Sequence, residues 1–285
     1  MSMVVQLIIQ LFALATIALL YAVFDIFNNR NVPNLFAYAS VVIGLVLTFL
    51  YNSNSLLFSL SVALVIGFAG YLVYRAGMWG AGDYFELVAI SLILPLQPSP
   101  AFGGTFQFGL PFVLSVFVAT GLAAVWIVPI YYLIFVRRAW SRKPDAHHVL
   151  MGLGLVVMYL LLFLLASFLF GFSTNRLVLL FLVAVPSAVT LTFEGEITTR
   201  MIERMSPKGL EEGDIIAFNM MSPNEKRHFA RYPGFGRLAT KQLIVRLKRE
   251  KAKLPVYRNA APLAFFILIG VVISLLFGNL ALLIV

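Results

Sequence analysis

Eight apolar runs, separated by short polar segments, constrain this chain more than any other feature of its sequence. Several approach or exceed the roughly 20 residues that a helix needs to cross a bilayer. Charged residues make up only 12% of the 285 residues, against about a quarter in ordinary globular domains. We therefore expect an all-α polytopic membrane protein with about eight transmembrane helices. The spans are predicted at 4–24, 35–51, 55–75, 84–96, 110–136, 149–170, 177–193 and 260–283.

The count of spans has a lower bound of six, because the second, fourth and seventh runs are short. The fourth run meets Pro95 and Pro98 early, so its helix is expected to bend or end there. The first run is long enough to span, has no basic start and has no small-residue cleavage site, which argues against a cleavable signal peptide.

The polar stretch 194–259 divides the chain into three regions. A helical membrane core at 1–193 precedes it, and a C-terminal membrane helix at 260–285 follows it. The stretch carries 14 Lys and Arg against 8 Asp and Glu. Residues 237–254 have a helical pattern of leucines among basic residues, which is compatible with a helix on the membrane surface or with one packed in a small soluble domain.

The distribution of charge predicts the orientation. With the amino terminus outside, the inner segments are 25–34, 76–83, 137–148 and 194–259, and Arg75 lies at their edge. Of the 21 Lys and Arg residues, 20 then lie on the inner side and only Arg176 lies on the outer side. Basic residues accumulate in cytoplasmic loops, so this sorting supports an outside amino terminus in the cell membrane. The net charge of +9 is then the charge of the loops that set the orientation, and we expect membrane lipid and no nucleic acid among the partners.

Two aspartates interrupt the apolar sequence at corresponding positions. Asp25 closes the first span, which runs inward, and Asp83 opens the fourth span, which runs outward. Both are therefore expected at the inner end of a helix, at a similar depth, where ionisable groups are costly and mark functional sites. For Asp83, capping of its own helix is an alternative to a functional role. It is a poor explanation for Asp25, because the dipole at a helix end disfavours a carboxylate.

Two carboxyls held close together have a specific chemistry. They do not both ionise easily, so the pair shares one proton. One then acts as general base on a water, while the other donates a proton to a scissile carbonyl. Gly80 and Gly82 lack side chains, so a substrate backbone is expected to approach Asp83 closely. The residues alone support equally a transporter that binds cations or protons at the aspartates, and a non-catalytic assembly factor is a third hypothesis.

The flanks of both aspartates resemble a known family. "GAGD" (80–83) is similar to the GxGD signature of intramembrane aspartyl proteases. "FDIFNNRNVPN" (24–34) resembles the aspartate, basic residue and hydrophobe-Pro-Asn pattern that ends the first span of type IV prepilin peptidases. "FGLPFVLSVFVATGL" (108–122) resembles the segment that enters the next span in archaeal preflagellin peptidases.

This resemblance implies an aspartic endopeptidase without a cofactor, with its catalytic residues in the membrane core. Asp25 and Asp83 fall on the family's two catalytic aspartates, and Pro33 and Asn34 fall on the turn after the first. The implied reaction removes the short basic leader peptide from precursors of pilins or archaellins at the cytoplasmic membrane face.

Some features depart from the family pattern. Bacterial bifunctional members carry a cysteine-rich insert and also methylate the new amino terminus. This chain has no cysteine, so we expect no methyltransferase activity. Archaeal members have fewer spans, and the pair at 149–170 and 177–193 is additional. The presenilin branch shares GxGD but pairs it with a Tyr-Asp motif late in the chain, whereas Phe24 precedes Asp25 here.

Three further candidates have simpler structural explanations. Glu86, one helical turn after Asp83, is able to tune the pair or bind a basic leader residue, and an interfacial position is the simpler expectation. Arg30 is a candidate contact for substrate or lipid phosphate, and orientation of the span is its simpler role. The adjacent His147 and His148 point to different helix faces, so no metal site is expected.

Overall fold

The computed structural model describes residues 3–28, 31–102, 109–135, 145–248, 253–258 and 261–280. It is an all-α polytopic membrane protein with a small two-stranded sheet. Its helices are α1 (Met3–Phe27), α2 (Asn34–Tyr51), α3 (Leu56–Arg75), α4 (Ala81–Ile93), α5 (Phe112–Ile130), α6 (Ala146–Phe170), α7 (Thr174–Thr192), α8 (Glu194–Met201), α9 (Pro223–Phe229), α10 (Lys241–Leu247) and α11 (Leu263–Phe277); its strands are β1 (Glu203–Met205) and β2 (Leu254–Val256).

Each predicted span contains one helix of the structure. Among the described residues, the helices α1, α2, α3, α5, α6 and α7 are long and apolar enough to cross a membrane. The helices α4 and α11 are shorter, at 13 and 15 residues. Helix α4 ends at Ile93, two residues before Pro95, because a residue that precedes proline is disfavoured in the helical conformation.

Helix α4 is the buried centre of the bundle and packs against α1, α2, α3, α5 and α11. Glycines on the neighbouring helices allow this close approach. A methyl group on Gly44 of α2 would lie 2.9 Å from the β-carbon of Leu92, and one on Gly70 of α3 would clash with Tyr84. Small residues at helix contacts are the usual means of close packing in membrane proteins.

Two hydrogen bonds between distant parts of the chain establish the relative directions of the helices. The side-chain amide of Gln10, early in α1, donates to the carbonyl of Ile93 at the end of α4, at 2.8 Å. The amide of Gln97, just after α4, donates to the carbonyl of Ser274 late in α11, at 2.9 Å. Helix α4 is thus antiparallel to α1 and parallel to α11. The end of α1 and the starts of α4 and α11 consequently share one end of the bundle, which we call the acidic end.

The helices α6 and α7 form a pair at the periphery. They pack against each other, and α7 also packs against α5. A side chain on Gly152 of α6 would clash with Thr192 of α7, so this glycine brings the two helices together. This pair lies away from the contacts that build the acidic end.

The polar segment, residues 194–259, folds around a core of its own. Strands β1 and β2 pair antiparallel, with Glu203 opposite Val256. The buried core residues are Leu210, Ile216, Met221, Phe229, Leu243, Leu247, Leu254 and Val256.

The prediction of one helix over 237–254 is wrong. Helix α10 covers only Lys241–Leu247, Leu238 forms an isolated bridge with Ile215, and Leu254 begins β2. Leu243 and Leu247 are buried in the core of the segment, so α10 is packed within a small domain. Tertiary burial of the leucines overrides the helical periodicity of the sequence.

Two arginines join the polar segment to the bundle. Buried Arg200 pairs with Glu196 at 2.9 Å and donates to the carbonyl of Tyr132, in the π-helical turn that follows α5. Arg237 donates to the carbonyl of Ala76, between α3 and α4, at 3.4 Å. The second contact places the polar segment beside the loop that leads into Asp83.

Candidate functional site

Asp25 lies in the last turn of α1 and is 8% exposed. Its Oδ2 accepts a hydrogen bond from the backbone N–H of Ala264 at 3.0 Å. Ala264 is in the first turn of α11, where N–H groups have no partner within the helix. Asp25 does not cap its own helix, α1. It caps α11, which begins beside it.

Asp83 is the third residue of α4 and is half-buried. Its Oδ2 accepts a hydrogen bond from the backbone N–H of Gly80, the N-cap residue, at 2.8 Å, which is one of the two bonds of a capping box; Gly80 has no side chain to make the other. The capping role expected from the sequence is therefore present. Asp83 lies at the N-terminus of α4, and the Asp25 carboxylate accepts its hydrogen bond from the N-terminus of α11, where the helix dipole and backbone donors stabilise a negative charge. Asp25 is also in the last turn of α1, whose own dipole has the opposite effect.

Glu86 connects the two aspartates. It interacts electrostatically with Asp83, one turn before it on α4, and with Asp25 on α1. The structure therefore brings three carboxyls from two helices together at the acidic end, and we call Asp25, Asp83 and Glu86 the acidic cluster.

Glu86 lies inside the helix bundle, and its expected position at the membrane interface stays a prediction. Its side chain is fully buried, and neither carboxyl oxygen has a hydrogen-bond partner among the described residues. It faces inward because α4 is surrounded by other helices on nearly every side. An unpartnered carboxyl at such a place is energetically expensive, which marks it as a feature of the site.

Sequence reasoning did not identify Tyr21 as part of this site. Tyr21 is fully buried, shares a 2.9 Å hydrogen bond with the Ser40 hydroxyl of α2, and interacts electrostatically with Glu86 and Asp83. It precedes Asp25 by four residues, so the two lie on the same face of α1. The four-residue spacing from Asp25 is the sequence feature that predicts Tyr21 at the site.

The two glycines of the "GAGD" motif have specific packing roles. A methyl group on Gly82 would lie 2.8 Å from Cγ2 of Val32, in the segment between α1 and α2. A methyl group on Gly80 would lie 3.2 Å from the Asp83 carboxylate. In this structure the space beside Gly82 therefore holds the chain's own Val32, which packs the two motifs together.

The remaining predicted residues lie near the site or outside the described chain. Pro33 is the N-cap residue of α2, and Asn34 is its first residue; both side chains are exposed. Arg30 lies outside the described residues. Within the described part of the chain, no group of three or more His, Asp or Glu side chains is arranged to hold a metal ion.

The polar segment has acidic residues of its own. Glu212 pairs with Lys241 at 3.3 Å, and Glu211 lies 3.7 Å from Arg258. Asp214 accepts a hydrogen bond from the backbone of Glu211, while burial raises the pKa of its carboxyl. Two of these acids thus engage basic residues of the same segment.

Comparisons with known proteins yield no significant match to a family model, to a curated protein or to a solved structure. The class of this protein is thus assigned from its own fold and site. It is a multi-pass α-helical membrane protein with a buried acidic cluster at one end of its bundle.

Proposed function

We propose that this protein is a membrane-embedded aspartic endopeptidase with Asp25 and Asp83 as its catalytic pair. The observation that carries the proposal is the acidic cluster, in which Glu86 of α4 lies within electrostatic range of both Asp25, at the end of α1, and Asp83, at the start of α4. Asp25 and Asp83 are 58 positions apart in the sequence and lie at the same end of the bundle, which supports their assignment as a pair.

The chemistry needs one ionised and one protonated carboxyl. The ionised group removes a proton from a water, whose oxygen attacks the carbonyl carbon of the scissile peptide bond. The protonated group donates its proton to the carbonyl oxygen. Collapse of this intermediate breaks the C–N bond, and the leaving nitrogen takes up a proton. The mechanism requires neither a metal nor a covalent intermediate.

The proposed substrates are precursors of pilin-like or archaellin proteins, which carry a short basic leader before an apolar helix. The proposal places the acidic end at the cytoplasmic face of the cell membrane and the amino terminus outside. The clustering of 20 of the 21 Lys and Arg on one side supports this orientation. The negative charge of the cluster favours binding of a basic leader.

A transporter coupled to protons or cations is the second candidate. The observation that favours it is buried Glu86, since intramembrane acids without partners are typical of proton pathways. Against it, all three acids lie at one end of the bundle, whereas transporter sites typically lie near the midplane between repeated halves.

Leader cleavage in proteoliposomes tests the proposal. A pilin-like or archaellin precursor is reconstituted with the protein, and loss of the leader is followed by mass spectrometry. Asp25→Asn and Asp83→Asn should each abolish cleavage, since asparagine keeps the backbone hydrogen bond but loses the carboxyl.

Asp145→Asn provides a matched control. Asp145 is also a helix-capping aspartate, at the start of α6, but it is exposed and belongs to the peripheral pair. Cleavage at the normal rate by either Asp25→Asn or Asp83→Asn would disprove this catalytic pair. Ion-dependent uptake into vesicles without cleavage of any precursor would favour the transporter.

A further inference from the structure

The three carboxyls of the acidic cluster occupy unequal environments. Asp25 accepts a backbone hydrogen bond at the N-terminus of α11, and Asp83 accepts one at the N-terminus of α4. Backbone donors and helix dipoles at these positions favour the ionised form of a carboxyl. Glu86 lies inside α4, fully buried, with no hydrogen-bond donor for either oxygen among the described residues.

Repulsion between the carboxylates determines which of the three carboxyls keeps a proton. Asp83 and Asp25 both lie within electrostatic range of Glu86, so their negative charges oppose the ionisation of Glu86. A proton is most stable on the carboxyl with the fewest donors and the least contact with water. A buried carboxylate without partners is so costly that the group is neutralised instead.

Among the described residues of the neighbouring helices, no positive charge acts on Glu86. Tyr21 and Asp25 approach it from α1, and Asp83 lies on its own helix. The helices α5 and α11 contain no titratable residue. On α2, Tyr38 makes an edge-to-face contact with Phe85, and Tyr51 lies at the opposite end of the helix.

Helix α3 also brings no positive charge close to Glu86. Its Tyr74 packs against Tyr84, its Tyr71 against Tyr74, and Arg75 is exposed at the end of the helix. None of these groups appears among the electrostatic partners of Glu86.

We propose that Glu86 is a positioning residue that holds the proton of the acidic cluster in the resting protein. Asp25 and Asp83 are then both ionised at rest, each bonded at a helix N-terminus. Transfer of the proton from the Glu86 carboxyl to one aspartate leaves Glu86 ionised and creates the acid and base that peptide hydrolysis needs. The resting protonation stands on the geometry alone, whereas the transfer rests on the proposed endopeptidase activity.

Infrared spectroscopy tests the resting state without any substrate. The full-length protein is measured at neutral pH, where exposed carboxyls are ionised, in a detergent that has no carbonyl group. The C=O stretch of a protonated carboxylic acid should be present in the wild type, in Asp25→Asn and in Asp83→Asn, and it should be absent from Glu86→Gln. Glutamine is close in size to glutamate, and circular dichroism confirms that each variant is folded.

Two outcomes would overturn the resting-state assignment. One is a wild-type protein without this band. The other is a band that persists in Glu86→Gln and disappears in either aspartate variant, which would place the proton on that aspartate. Glu86→Leu serves as a second variant should the glutamine variant not fold.

The cleavage assay tests the transfer step. Loss of the proton store should lower kcat of Glu86→Gln about 100-fold, a typical contribution of general acid–base catalysis, and change its pH profile, with KM retained. Glu86→Asp, which still carries a carboxyl, should recover part of the rate. A wild-type rate and pH profile in Glu86→Gln would disprove the transfer. A wild-type protein that cleaves no precursor would disprove the endopeptidase and the transfer together, and the infrared result on Glu86 would stand by itself.

Discussion

The carboxylate of Asp25 and the backbone N–H of Ala264 are joined by a 3.0 Å hydrogen bond across 239 residues of sequence. This bond links the end of the first membrane helix to the start of the last. It orients the Asp25 carboxyl and satisfies one of the N–H groups that α11 cannot bond internally. The residue proposed for catalysis is thus also a structural contact, and substitutions can separate the two roles.

Asp25→Ala should destabilise the protein by about 1 kcal/mol, the usual loss for a helix cap, and abolish leader cleavage. Asp25→Asn should retain most of the stability, because its amide oxygen still accepts the Ala264 hydrogen bond, and should still be inactive. Thermal unfolding in detergent and the cleavage assay measure the two effects. Equal stability of Asp25→Ala and the wild type would show that the Ala264 contact contributes nothing.

Gly82→Ala should destabilise the protein by about 1–3 kcal/mol, the typical cost of overpacking. The new methyl group would lie 2.8 Å from the side chain of Val32. The double variant Gly82→Ala with Val32→Ala should recover stability. Gly121→Ala in α5 is the matched control, since a methyl group there meets nothing within 4 Å. Similar melting temperatures of Gly82→Ala and Gly121→Ala would contradict the packing role of Val32.

Glu86→Leu should stabilise the protein by about 1–3 kcal/mol, because it removes a buried polar group without partners. Glu86→Gln should stabilise less, since its amide is also polar. Thermal unfolding of the wild type, Glu86→Gln and Glu86→Leu measures the order of their stabilities. A Glu86→Leu protein that unfolds well below the wild type would show that the glutamate has stabilising partners in the membrane.

The polar segment should lose stability in acid through Glu225. Hydrogen bonds from Arg204, and then from the backbone of Ser222, lower the pKa of this carboxyl below its ordinary value of about 4.5. Its contribution is complete above the ordinary value and disappears as the pH falls through the lowered pKa.

Amide exchange of α9 in the full-length protein, measured as a function of pH, reports this loss. Arg204→Gln should move the transition of α9 to higher pH. Arg227→Gln, on the exposed surface of the same helix, is the control. Superimposable profiles for Arg204→Gln and the wild type would contradict the role of the Arg204 hydrogen bond.

The positions of the membrane helices follow from the sequence, because the bilayer imposes a local requirement. A span needs roughly 20 predominantly apolar residues, so each one is visible in the sequence as an apolar run. The eight predicted runs each contain a helix for this reason, and Pro95 marks the end of α4. The polar segment obeys no such local rule, and its leucines were therefore assigned to a longer helix than exists.

The placement of Asp25 and Asp83 at one end of the bundle also followed from the sequence, through the alternating direction of successive spans. Only the tertiary structure decided that α11 begins at Asp25, that Val32 packs on Gly82, and that Glu86 is buried. These neighbours come from distant parts of the chain, and the close packing of one helix on another selects them. An apolar run records the depth of a residue in the membrane, but it does not record which helix face lies opposite.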